Sequence, residues 1–307
     1  MTEVASLNYQ TQFQQRWPQL THGHVRNLAW IIDSPGLLNG VHPYWQNKIA
    51  QLGPVDDAIV LWLEQLNQQP EPLMQFLALH PHTRLGHYAE YLLAYYLSWR
   101  ATLFAHGVQV RARTTLGEFD FLLTTPEGLV HWEFACKFYL LVAPQSALTD
   151  YVGPNLLDNL EAKSKKIIHS QLQLGQRPEA QSYLPTPLTA ALALVKGWLF
   201  YSASTTEALP EITPQHCRGV WCRLAQLDQW HTAEFVILAR LDWLAPARVP
   251  LQAAIAGSRL QAQLQARFAA DARPVLVAQL QRHGDDWIEI ERLFVVPDDW
   301  NVSAPII

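Results

Sequence analysis

The stretch "GEFDFLLTTPEGLVHWEFACKFY", residues 117–139, sets Asp120, Glu133 and Lys137 in otherwise apolar surroundings. Two carboxylates and an ammonium group brought together can hold a divalent cation and steady a phosphate. Thr125–Gly128, "TPEG", carries Pro and Gly where a four-residue β-turn favours them. A hairpin symmetric about that turn pairs positions whose numbers sum to 253. That register puts Asp120 opposite Glu133, Phe121 opposite Trp132 and Phe119 opposite Phe134. Directly opposed residues hold their Cβ atoms roughly 4.5–5.5 Å apart, where like charges repel. A Mg²⁺ or Mn²⁺ ion would offset the repulsion, because Mg²⁺ takes one or two protein carboxylates and completes its shell with water and phosphate oxygens. Lys137 shares a strand face with Glu133, with small Ala135 between them. The plainer reading of the same residues is a solvent-facing hairpin with a surface salt bridge from Lys137 to Glu118, its diagonal neighbour.

The elements that must position these groups are legible in outline. Residues 1–83 read as short helices broken by prolines, an N-terminal helical region. From Thr83, a plausible N-cap, "TRLGHYAEYLLAYYLSWRATLFA" carries an apolar helical stripe through Leu85, Ala89, Leu92, Tyr96 and Trp99. Glu90 falls at the edge of that stripe. Residues 107–140 alternate as strands do, and helical spacing returns in "GPNLLDNLEAKSKKIIHSQLQLGQ". "ALALVKGWLFY" reads as a buried central strand. The expected architecture is α/β: an N-terminal helical region (1–83), a core of helix, antiparallel strands, helix and strand (84–205), and a C-terminal β-rich extension (206–307). In the last part, strands are expected at "GVWCRL" and "EFVILARLDWL", a helix at 258–270, and a hairpin across His283-Gly284-Asp285.

Composition bounds the rest. The chain has 307 residues, 49% hydrophobic and 16% charged, enough to bury a core. A formal net charge of −5 argues against indiscriminate nucleic-acid coating but allows a local basic patch. The one basic cluster is Lys163, Lys165 and Lys166, with His169 and Gln171 following; it reads as a phosphate-contacting helix or as a solvated face. Three cysteines make no disulfide framework, and the polar N-terminus lacks a secretory layout, so a soluble cytoplasmic protein is expected. His80, His82 and His87 read as surface or capping residues. His216, Cys217, Cys222 and His231 read as packing rather than zinc ligands. Glu289 and Glu291 read as an exposed strand face.

Helix, antiparallel strands carrying Asp and then Glu and Lys, helix, and a further buried strand resemble the core of the PD-(D/E)XK nuclease superfamily over about residues 84–203. "RLGHYAEYLL", "LGEFDFLL", "HWEFACKFYL" and "GPNLLDNLEAKSKKIIHSQL" also resemble a bacterial domain-of-unknown-function family, number 1853, over nearly the whole chain. The nuclease resemblance implies that Asp120 and Glu133 bind the metal, with the Phe134 carbonyl completing the shell and Glu90 as an added acid. It implies that Lys137 activates water or stabilises the phosphate, and that Gln171 reaches the site. The usual spacing is acid, any residue, lysine; here Ala135 stands at the acid position and Glu133 lies one pleat back. The implied function is a metal-dependent phosphodiesterase on DNA or RNA. The alternatives are an inactive nucleic-acid-binding or scaffold protein on the same fold, and a hydrolase using the carboxylates as a general acid/base pair without metal.

Overall fold

A core of buried apolar side chains draws on both ends of the chain, from Phe13 to Trp300, with smaller clusters beside it. The computed structural model describes residues 8–80, 82–143, 147–202 and 208–300. The first seven residues of the polar N-terminus and the boundary expected at 205–206 lie outside the described residues.

Four helices come first: α1 (Tyr9–Arg16), α2 (Gly23–Asp33), α3 (Asp57–Gln68) and α4 (Glu71–Leu79). Asn8 and Asp56 cap α1 and α3 by accepting backbone N–H groups, as short polar side chains do at helix starts. The long helix α5 (Leu85–Trp99) begins after Arg84, which has extended backbone, so Thr83 is not its cap. Its stripe is buried through Leu85, Ala89, Leu92 and Tyr96. Trp99 leaves the stripe and stacks on Trp62 at 4.3 Å between ring centroids, half-exposed.

Three antiparallel strands follow: β1 (Leu103–Arg111), β2 (Thr115–Thr125) and β3 (Gly128–Leu141). A short β4 (Tyr151–Val152) pairs with the end of β3. Helix α6 (Leu160–His169) then crosses over to β5 (Leu188–Tyr201), which runs parallel to β3. The helix expected from Gly153 starts later, because Gly153 N–H closes a turn on the Asp158 carbonyl and Asn159 caps the helix instead.

The remaining elements are β6 (Cys217–Arg223), β7 (Glu234–Ile237), β8 (Arg248–Pro250), β9 (Ile255–Ala256), α7 (Gly257–Ala270), β10 (Val275–His283) and β11 (Asp286–Val296). The strand expected over "EFVILARLDWL" stops at Ile237, and Arg240–Asp242 forms a single helical turn. Among the described residues the eleven strands form one mixed, mostly antiparallel sheet, ordered β1-β2-β3-β5-β6-β11-β10-β7-β9, with β4 pairing β3 and β8 pairing β11. Its middle, β3-β5-β6-β11, is parallel. The strands after residue 206 therefore continue the sheet that the earlier ones begin.

Glu289 corrects the expectation of an exposed face. It is fully buried, accepts the Ala247 N–H at 2.7 Å and pairs with buried Arg292 at 2.7 Å. Arg292 in turn lies over the Trp198 ring, so the pair ties β11 to β5. Cys217 and Cys222 are buried free thiols, and buried His216 bonds to the Tyr201 hydroxyl, while His231 lies at the surface. No helix among the described residues is long and apolar enough to cross a membrane.

Candidate functional site: a carboxylate pair at a strand fork

The β2–β3 ladder keeps the expected register from Thr125–Gly128 to Phe121–Trp132, and there it stops. Asp120–Glu133 and Phe119–Phe134 are not ladder pairs. In their place the Asp120 carboxylate accepts the Phe134 N–H at 2.8 Å, so a side chain fills the place of a backbone partner. β3 continues past the fork because its other edge is paired with β5 from Leu129 to Leu140. The strands part, and the two carboxylates occupy the gap.

The Asp120 and Glu133 side chains line the same cleft, near enough for the charge on one to oppose ionisation of the other. Burial raises both acids above the ordinary carboxylate range, and the charge of Asp120 raises Glu133 further. Glu133 is only 2% exposed. One of its oxygens accepts the side-chain amide of Gln171, whose carbonyl oxygen takes Lys163 Nζ at 3.3 Å. The other, Oε2, is buried without a hydrogen-bond partner. His131, one pleat back and fully buried, brings Nε2 to 3.8 Å of that oxygen; burial pushes its imidazole down to about 4, so it stays neutral. Burial also lowers the Lys163 ammonium, with the charge of Glu133 opposing the shift.

Glu90 lines the same cleft, but its Oε1 is engaged by His106 Nε2 at 2.8 Å. Among the described residues no three His, Cys, Asp or Glu side chains are gathered for a metal. Asp120 and Glu133 are the two carboxylates that could hold one there. A buried, unpaired oxygen beside a mutually repelling acid fits a hard cation that fills its remaining positions with water or phosphate.

Lys137 does not reach Glu118. Its Nζ lies 2.7 Å from Asp158 Oδ2, an oxygen that also takes the Tyr139 hydroxyl at 3.1 Å. Asp158 thus fixes the lysine at the cleft wall. Sequence reasoning missed it; the available signal was the Asp158-Asn159 pair, of which only one residue is needed as the cap. Across the β3–β5 ladder Lys137 faces Gly197. Lys163 and Lys166 line the cleft with Lys137, whereas Lys165 is half-exposed and pairs with Glu161 at 3.1 Å. The cleft has a volume of about 1190 Å³ and is walled by the first turn of α5, the 153–158 loop and the start of α6.

The buried acids set a sign for stability against pH. Their folded pKa values lie above the unfolded ones, so the folded state holds the extra proton. Their contribution is present below the ordinary carboxylate range and is lost as pH climbs from about 5 through neutrality. The melting temperature in EDTA is expected to fall between pH 7 and 9, where His131 no longer titrates. At about 2–4 °C per kcal/mol the drop should be readable calorimetrically. Mn²⁺ should restore it, and Glu133→Gln should flatten the profile; a wild-type profile already flat in EDTA would remove the repelling pair.

The chain belongs to the family DUF1853, described as a domain of unknown function, whose family model matches residues 26–296. No curated protein and no solved structure matches the chain.

Proposed function

We propose that the protein is a metal-dependent phosphodiesterase acting on DNA or RNA, built on a restriction-endonuclease-like core. The observation that carries this reading is the Asp120–Glu133 pair at the strand fork, Asp120 half-buried and Glu133 buried with one unpaired oxygen, with Lys137 on the same cleft wall. The order helix, three antiparallel strands, crossover helix and parallel strand supports the core assignment.

In this reading Asp120 and Glu133 hold Mg²⁺ or Mn²⁺, which supplies Lewis acidity toward a phosphoryl oxygen and makes water acidic. Asp120 is locked by the Phe134 N–H and Glu133 by Gln171, so both acids are oriented before substrate arrives. Lys137 stabilises the charge that develops on the phosphate, and Asp158 positions its ammonium group. Lys163 and Lys166 bring positive charge to the approaching backbone. Glu90 orients His106 and adds negative charge near the pair.

The deciding experiment is cleavage of a labelled panel of DNA and RNA oligonucleotides in Mn²⁺, with EDTA as control and Mn²⁺ calorimetry in parallel. Cleavage that EDTA stops, and that Lys137→Ala eliminates while Mn²⁺ binding persists, is the expected result. No cleavage and no Mn²⁺ binding would leave a nucleic-acid-binding or scaffold protein. Cleavage indifferent to EDTA would point to acid/base chemistry by the carboxylate pair.

A further inference from the structure

The carboxylate cleft does not end at Lys137. It shares Pro154, Asn155, Arg240, Trp243 and Arg273 with a second cavity of about 420 Å³, which also takes in Arg267 from α7. Arg240 comes from the helical turn after β7, and Arg273 from the link between α7 and β10. Neither belongs to the strands and helix that carry the carboxylates and lysines.

The Arg240 guanidinium lies 4.5 Å over the Trp243 ring, fixed by a cation–π contact. Among the described residues no carboxylate pairs with it. Arg273 is paired with Asp271, which accepts its Nε at 2.8 Å and its Nη2 at 2.5 Å, so Nη1 is the nitrogen left outside the pair. The two cations repel each other enough to lower the Arg240 guanidinium, after the larger effect of burial. Asp271 lines the second cavity and offsets Arg273, so Arg240 is the cation there without a carboxylate among the described residues, and an anion reaching from it to Arg273 Nη1 would complete its pairing. The wider cleft agrees: six Lys and Arg side chains line it against four carboxylates, within a chain of net charge −5.

We infer that Arg240 and Arg273 clamp a phosphodiester of a single nucleic-acid strand, next to the phosphate held at Asp120, Glu133 and Lys137. This rests on the nuclease reading and extends it. A single strand is the fitting occupant because Glu133, at 2% exposure, sits too deep for the surface of a duplex to reach. The strand would then run from the α6 lysines, over the carboxylates, to the wall supplied by the C-terminal half of the sheet.

The test is binding without chemistry. Fluorescein-labelled single-stranded 12-mers, one DNA and one RNA, are titrated with full-length protein in EDTA at several salt concentrations. Loss of one phosphate contact reduces the slope of log affinity against log salt by about 0.7 on single strands. Arg240→Gln with Arg273→Gln should show that reduction and weaker binding, while Arg240→Lys with Arg273→Lys should keep the slope. Melting curves of each variant exclude misfolding, and Arg273→Gln alone, at an exposed position, provides a fold-safe second variant. An unchanged slope in the glutamine variants overturns the clamp, as does failure of the wild type to bind either oligonucleotide. An arginine-dependent slope in a protein that never cleaves in Mn²⁺ keeps the clamp and removes the nuclease reading. Cleavage with an arginine-independent slope does the reverse.

Discussion

Asp120→Asn is expected to lower cleavage by at least on the order of 10²–10³-fold, the scale of losing one preorganised group that stabilises transition-state charge. The substitution removes a ligand charge and almost no volume. The amide oxygen can still accept the Phe134 N–H now held at 2.8 Å, so the fork should survive. Repulsion with Glu133 disappears at the same time, and the variant should melt at or above the wild-type temperature in EDTA. Lost activity with retained stability is the paired result that marks a functional carboxylate. A variant that melts well below the wild type would make Asp120 a structural strut, and full activity would remove it from the site.

The largest effect on stability is expected from Gly197→Ala. Gly197 has φ of +153°, and a Cβ built there would fall 1.8 Å from the Lys137 carbonyl oxygen. Backbone must move, because no flexible side chain is there to yield. The shift would fall in the middle of the β3–β5 ladder, the pairing that lets β3 continue beyond the fork. A loss of at least about 4 kcal/mol, or failure to fold, should be seen by urea denaturation. Gly23→Ala is the control, since nothing lies within 4 Å of its Cβ position. A Gly197→Ala protein as stable as that control would mean the two strands do not approach as described.

Much of this hairpin could be read from the chain because two independent signals agree. The Thr125–Gly128 turn and the alternation on both faces demand the same register, and the ladder obeys it as far as Phe121–Trp132. Its early end could not be read. Nothing in residues 117–139 says that an aspartate will replace a strand as the partner of Phe134. Asp158 was hidden for a related reason: the leucines of "GPNLLDNLEAK" keep helical spacing into a segment that a Gly153–Asp158 turn holds out of the helix. The Lys163–Lys166 cluster announced itself by composition, but separating Lys165 from its neighbours required the helix start, which sets the face each lysine occupies. Arg240 and Arg273 were silent because they meet the cleft only through the sheet order, more than 100 residues from Asp120. Glu289 misled because its partner Arg292 lies three residues on along the same strand, where alternation alone places the two on opposite faces.

The hydrogen bond from the Phe134 amide to Asp120 gives the site a spectroscopic handle of its own. A backbone N–H donating to a carboxylate senses the charge on that carboxylate, so the proton resonance of this single amide tracks the ionisation of Asp120. Titrated by pH, it would report ionisation within the Asp120–Glu133 pair; titrated by Mg²⁺, it would report whether a cation arrives there. The occupancy of the proposed centre can therefore be followed in isotope-labelled protein with no substrate and no turnover.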